Sequence, residues 1–245
     1  GVVVMPTGSG KSYVIAGISK EYPDPVLVLQ PSKELLEQNH AKFLLTGSTA
    51  AICSASFDKR EVGHITFATI GTAIKYAESF RSMKNLLIIC DEAHHKYSPE
   101  LKSQFRKFLS AVKPKFLYGL TATPFRLYSN RGGSMLKMII RTSPRVFNKI
   151  IYVQQIAEAI DLGFWSPSID ERWQYDDSSL EFNSTGSDYT DASIKTANEV
   201  NSTNKSIALR IHELLKEGQR KSILIFTDSV ANAETFVNHF EKYTT

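Results

Sequence analysis

"GVVVMPTGSGKS", residues 1–12, decides the fold. An apolar β-branched run ends at "MPTGSG", and Lys11 opens a helix-length stretch to Tyr22. Strand, glycine-rich loop and helix in that order form the context a phosphate-binding loop requires. Gly8 and Gly10 permit backbone angles that turn successive N–H groups inward, and the helix N-terminus adds partial positive charge. Lys11 is placed to reach the β- and γ-phosphates of a nucleotide, and the Ser12 hydroxyl to ligate Mg²⁺. The strict GxxxxGK[ST] pattern asks for glycine at position 5, where this chain has Met5. A chance glycine turn is the alternative, and the ordered context favours nucleotide binding.

Outward from this loop, short β-branched runs alternate with amphipathic stretches: "VLVLQ", then 32–45, "ITFAT", 71–81, "LLIIC", 99–112 and "KFLYGLT". Such alternation predicts an α/β fold, a parallel sheet with crossover helices on both faces. Ligands of these sheets collect at the carboxyl ends of the strands. Beyond "TATPFR" the pattern breaks at "LYSNRGGSM" and resumes with "KIIYV" and a helix over 154–162. Residues 176–191, "DDSSLEFNSTGSDYTD", are acidic and rich in turn formers, a surface excursion. A helix over 204–217, the strand "SILIFT" and a helix over 230–243 read as the opening of a second α/β domain.

"LLIICDEAHH", residues 86–95, sets two acids and two histidines at the end of a strand that reads as buried. Buried carboxylates require a cationic partner. With a phosphate loop at the same sheet edge, Mg²⁺ supplies it: Asp91 helps hold the ion, and Glu92 orients and deprotonates an attacking water. A carboxylate pair that merely caps the next helix would leave the order Asp-Glu-Ala-His unexplained. Because Mg²⁺ prefers oxygen, His94 reads as a hydrogen-bonding relay and His95 as a structural or surface residue. "GLTATPFR" places Thr121 and Thr123 at the same edge, where their hydroxyls can bond to His94.

The chain is 42% hydrophobic and 22% charged, the balance of a soluble globular protein. No run approaches the ~18 apolar residues of a membrane span. The start is neither a signal nor a transit peptide, so an intracellular protein without membrane association is expected, with sequence upstream of Gly1. Cys53 and Cys90 lack metal-site spacing and read as core residues. Net charge is +4, unevenly spread. Through Arg145 there are 20 Lys+Arg against 10 Asp+Glu, and from 146 onward 9 against 15. The basic first part favours a polyanionic partner.

"MPTGSGKS", "LVLQPSKEL", "TFATIGTAI", "DEAH", "TATP" and "SILIFTDSVANAE" resemble, in that order, motifs I, Ia, Ib, II, III and IV of the superfamily 2 helicases, the DExH-box nucleic-acid motors. "PSKELLEQNHAKF", "TATPFR" and "LGFWSP" look most like the XPB-like and RadD-like DNA-repair branch and related phage helicases. The resemblance implies RecA-like P-loop lobes with ATP and Mg²⁺ between them and nucleic acid, DNA more than RNA, across both. Residues 1–147 then form the first lobe, and 148–245 a linker and an incomplete second lobe. It assigns Thr7, Gly8, Ser9, Gly10, Lys11 and Ser12 to the nucleotide, Ser12 and Asp91 to the metal, and Glu92 and His94, with Lys11, to catalysis. Thr121 and Thr123 fall to coupling, and Pro31, Ser32, Lys33 and Thr69 to the strand backbone. Ser32 reads equally well as a helix N-cap, with Lys33 as a solvated face.

Motifs V and VI and the upstream adenine-reading glutamine motif have no counterpart in this chain, so it is expected to bind nucleotide and turn it over poorly alone. Three other readings share some of these features. The motor of a type I or type III restriction system uses the same motifs and would carry appended nuclease sequence. A small-molecule P-loop kinase predicts neither Asp-Glu-Ala-His nor Thr-Ala-Thr and an ATPase indifferent to DNA. A nucleotide-switched binding module predicts nucleic-acid affinity without translocation.

Overall fold

The computed structural model describes residues 1–95, 97–130, 133–170, 172–184, 188–218 and 223–244. In chain order the elements are β1 (Val2–Val4), α1 (Lys11–Glu21), β2 (Val26–Gln30), α2 (Lys33–Leu44), β3 (Ala51–Ser54), β4 (Lys59–Arg60) and β5 (Ile65–Thr69). There follow α3 (Ile70–Ala73), α4 (Ala77–Arg81), β6 (Leu87–Asp91), α5 (Gln104–Val112), β7 (Phe116–Thr121), β8 (Phe125–Asn130) and β9 (Gly133–Met138). Last come β10 (Ile150–Val153), α6 (Ile156–Asp161), α7 (Asp191–Val200), α8 (Thr203–Lys216) and α9 (Val230–Thr244). Two compact units emerge: Gly1–Tyr128 with Met135–Ile169, and Ser129–Ser134 with Asp170–Thr245.

The first unit is built on an eight-stranded sheet of order β10-β1-β7-β6-β2-β5-β3-β4, parallel except for β4. Side chains alternate across its two faces, as the two-residue period of a strand requires. Val2, Val4, Leu27, Leu29, Ile88 and Cys90 pack on one face with Phe105, Phe108 and Val112 of α5 and Phe80 of α4. Val3, Met5, Val26, Val28, Leu87 and Ile89 pack on the other with Ile15 and Ala16 of α1 and Leu36 and Phe43 of α2. Near-continuous apolar strands therefore arise because both faces are covered, the α/β layering expected from the sequence. Cys53 and Cys90 are free and buried in the first of these cores.

Several local readings change. Residues 71–81 form two short α-helices joined by a 3₁₀ turn, because Tyr76 leaves the helical region at φ −111°, ψ 22°. The helix expected from residue 99 starts at Gln104, where the Ser103 hydroxyl accepts from the Arg106 N–H at 3.2 Å and satisfies a first-turn donor. "LYSNRGGSM" contributes to the paired strands β8 and β9.

In the second unit, α8 and α9 pack through Ala208, Ile211 and Phe236. α7, which the acidic composition of the preceding segment obscured, is N-capped by Thr190. The "SILIFT" segment falls partly outside the described residues. Its described part, 223–227, is not in a strand, and Leu224 and Phe226 are exposed.

Candidate nucleotide site

The site lies where β1, β7 and β6 end. The end of β1 is tied to β7 by Met5 N–H donating to the Thr121 carbonyl at 3.0 Å. The loop that follows holds Gly8 and Gly10 at φ +80° and +95°. Gly10 is the N-cap of α1 and offers no side-chain oxygen, so the first turn of that helix keeps N–H groups without a side-chain cap. This is the arrangement that receives an anion at a helix N-terminus. Ser9 folds inward, its hydroxyl donating to the Pro6 carbonyl at 2.6 Å.

Lys11 Nζ donates to the Met5 and Pro6 carbonyls, each at 3.4 Å, and lies 3.8 Å from Glu92 Oε1. Lys11 and Glu92 are 81 positions apart in sequence, yet they meet at the strand ends. β7 intervenes between β1 and β6, so the two acids reach the loop across one strand. That approach is made possible by Gly119 of β7. A Cβ there would stand 2.7 Å from Ala93 Cβ and 2.9 Å from Phe147 Cζ, so only glycine admits the 91–94 turn this closely. The turn is completed by Ala93 N–H donating to the Leu120 carbonyl at 2.9 Å and by Glu92 adopting φ +49°. A non-glycine residue in that region carries local strain, which the packing around it must hold.

Asp91 is 4% exposed. Its Oδ1 accepts from the Glu92 N–H at 3.0 Å and its Oδ2 from Asn39 Nδ2 at 2.8 Å. Burial, and then the neighbouring Glu92 charge, push its pKa up to about 6, against the opposing pull of those two donors and of Lys11. An anionic carboxylate so poorly solvated is a hard oxygen ligand in want of a cation. The Ser12 hydroxyl, the second candidate ligand, accepts from Lys42 Nζ at 3.3 Å, and Lys42 also lies 5.6 Å from the Tyr13 ring centroid. Among the described residues no cluster of three or more His, Cys, Asp or Glu could hold a metal. One carboxylate and one hydroxyl fit Mg²⁺, which takes few protein ligands and completes its shell with phosphate and water.

His94 Nδ1 lies 2.7 Å from the Thr121 hydroxyl and 3.5 Å from Glu92 Oε2. Burial, followed by the charges of His95, Arg126 and Lys11, lowers the His94 pKa. The ring is therefore neutral at pH 7, and its approach to Glu92 is dipolar rather than an ion pair. Thr121 Oγ1 also accepts from the Thr123 N–H at 3.1 Å. A chain Glu92–His94–Thr121–Thr123 thus runs along the strand ends. His95 is exposed, and its carbonyl accepts from Arg126 Nη2 at 2.9 Å.

Pro31, Ser32, Lys33 and Thr69 sit at the ends of the adjacent strands β2 and β5, where Gln30 and Thr69 are in register. Pro31 is buried, and Ser32 caps α2 by accepting from the Leu35 N–H at 3.3 Å. Lys33 is exposed, with its ammonium 5.1 Å from the Phe57 ring centroid. The Thr69 hydroxyl donates to Thr72 Oγ1 at 3.4 Å.

Two contacts escape sequence reasoning. Asn39 shares the buried face of α2 with Leu36 and Phe43, and a polar residue in that apolar stripe was the available signal. Trp165 Nε1 donates to the Thr7 carbonyl at 2.8 Å across 158 positions of sequence, and no local pattern announces it.

Two curated proteins match, each named "Putative DNA 3'-5' helicase Rad25". That of Halobacterium salinarum is 24% identical over 98% of this chain and 38% of its own length. That of Haloarcula marismortui is 32% identical over 51% of this chain and 20% of its own. The chain thus spans well under half of either relative. Among solved structures, the UvsW helicase of bacteriophage T4 aligns at TM-score 0.38 and 20% identity over 50% of this chain and 46% of its own. The Hef helicase domain of Pyrococcus furiosus aligns at 0.40 and 23% over 50% and 29%. Residues 1–126, just over half of the chain, match the family described as "ResIII: Type III restriction enzyme, res subunit". With the phosphate loop, the Asp-Glu-Ala-His turn and the Thr-Ala-Thr strand end gathered on one sheet edge, the chain belongs to that family, within the superfamily 2 helicases.

Proposed function

We propose that the chain is motor sequence of an ATP-dependent helicase or translocase acting on DNA, with 1–147 as the first lobe and 148–245 as linker and second-lobe sequence. The observation that carries this reading is the convergence of Lys11 on Glu92 at 3.8 Å, a phosphate-binding cation beside a candidate water-activating base. The backbone of Thr7, Gly8, Ser9 and Gly10 receives the phosphates, and Lys11 leaves its carbonyl partners and Glu92 for the β- and γ-oxygens. Mg²⁺ held through Ser12 and Asp91 supplies neutralisation of the phosphate charge. Glu92, released from Lys11, orients the attacking water and accepts its proton. His94, neutral and bonded to Thr121, links that base to the Thr121–Thr123 strand end, so the state of the site is felt along the sheet edge. Pro31, Ser32, Lys33 and Thr69 meet a nucleic-acid backbone, which the basic excess through Arg145 attracts. XPB-like DNA repair is the finer placement, supported by the names of the two archaeal relatives.

The family description favours one second reading, the motor of a restriction system, which uses the same residues. Nuclease sequence elsewhere in the parent protein distinguishes the two.

The test is fluorescent-nucleotide binding by the chain, with the ATPase of the parent protein measured on single-stranded DNA, duplex DNA and RNA. Lys11→Ala should abolish binding, whereas Glu92→Gln should retain nucleotide with Mg²⁺ and stop hydrolysis. Equal loss of binding in both would remove Glu92 from the base role, and an ATPase indifferent to nucleic acid would overturn the motor reading.

A further inference from the structure

The strap from β10 to Trp165 returns to the phosphate loop twice. After β10 pairs with β1, Gln154 N–H donates to the Val4 carbonyl at 2.9 Å, one residue from the start of the loop. α6 then closes with Gly163 at φ +73°, Gly163 N–H donating to the Ile160 carbonyl and Phe164 N–H to the Ala159 carbonyl, both at 2.9 Å. This pair of bonds is the Schellman arrangement, which fixes the direction of the chain leaving the helix. Ala159, which also accepts from the Trp165 N–H at 3.1 Å, is fully buried. Trp165 is thus directed by the way the chain leaves the helix, and its indole N–H reaches the Thr7 carbonyl at 2.8 Å. The same nitrogen is the nearest atom, at 3.4 Å, to where a Cβ on Gly8 would stand.

A trans peptide points its C=O and N–H in opposite directions. The peptide between Thr7 and Gly8 has two orientations open to it, because Gly8 tolerates either sign of φ. With the Thr7 oxygen held by the indole on one side, the Gly8 N–H faces the other. We propose that Trp165 is a positioning residue of the phosphate loop, locking the Thr7–Gly8 peptide so that its N–H is presented to a nucleotide phosphate. Trp165 touches the loop backbone and acts on the nucleotide only through it. The inference rests on the nucleotide-binding reading above.

The experiment uses the chain carrying Trp173→Phe, which leaves Trp165 as its single tryptophan. Titration with ADP·Mg²⁺ should shift the Trp165 emission at the midpoint found by competition with mant-ADP, and Lys11→Ala should remove that shift. In the same background, Trp165→Phe keeps an aromatic ring and deletes the donor, so mant-ADP affinity should fall about three- to tenfold, the range of one net hydrogen bond. Gly163→Ala, strained at φ +73°, moves the indole without altering it and should weaken binding in the same direction. Affinity of the Trp165→Phe variant within twofold of the Trp173→Phe chain overturns the proposal. So does an unmoved Trp165 emission in a Trp173→Phe chain that binds mant-ADP, a result that needs no substitution at Trp165. A folded Trp173→Phe chain that binds no mant-ADP overturns the nucleotide reading itself, and this inference with it.

Discussion

Asp91→Asn should stabilise the ligand-free protein at neutral pH while damaging its site. Asp91 titrates at about 6 in the fold against 3.8 for the free side chain, so the fold holds the protonated form more tightly than the unfolded chain does. For a group whose pKa is raised on folding, the contribution to stability is fully present below the unfolded pKa and is lost as pH climbs through the folded one. Between pH ~4 and ~6 about two pKa units at 1.36 kcal/mol each, roughly 3 kcal/mol, are therefore surrendered. Asparagine is neutral throughout and escapes that loss. Its amide keeps one oxygen for the Glu92 N–H, and a flipped Asn39 can offer Oδ1, which has no hydrogen-bond partner in the native arrangement, to the new NH₂. Allowing about 1 kcal/mol for imperfect bonding, the net gain is about 2 kcal/mol at pH 8, or about 4–8 °C in Tm for a chain of this size. Near pH 4 the gain should vanish or change sign. Thermal melts of both proteins in EDTA at the two pH values measure it. An equal effect at both, or a loss at pH 8, would refute the account of Asp91 as a carboxylate buried for a cation that arrives later. Mg²⁺-dependent nucleotide binding should meanwhile weaken, a trade of stability for function at one residue.

Other predictions concern the supports of the site. Asn39→Leu removes a donor from Asp91 Oδ2, so the Asp91 pKa should climb further and the Mg²⁺ concentration needed for half-maximal nucleotide binding at pH 7 should rise. Gly119→Ala forces a Cβ within 2.7 Å of Ala93 Cβ, and urea titration should register an overpacking cost of about 1–3 kcal/mol. Thr121→Val deletes the hydroxyl beside His94 and Thr123, and is expected to spare nucleotide affinity while abolishing stimulation of the parent's ATPase by nucleic acid. Duplex DNA affinity should fall with rising salt, by a log–log slope of about 0.9 per phosphate neutralised, with little sequence preference; an affinity insensitive to salt would count against phosphate recognition.

The glycine turn before Lys11, the Asp-Glu-Ala-His turn and the parallel layering were legible because each is written locally. A turn with two residues at positive φ just ahead of a helix calls for glycines, and strands buried on both faces must be apolar throughout. The same locality explains the misreadings. Where Ser103 outcompetes Pro99 as a helix start, and where Tyr76 interrupts 71–81, the outcome turns on a cap or a backbone angle that periodicity does not carry. Only the tertiary structure could decide which strand ends become neighbours. The crossovers place β7 between β1 and β6, and it is this order, with Gly119 thinning the space between them, that brings Glu92 to Lys11. Asn39 on Asp91 and Trp165 on Thr7 belong to the same class. Both join residues more than 50 positions apart through one hydrogen bond, and such a bond has no counterpart in local propensity because the chain meets its energy only once the sheet has formed.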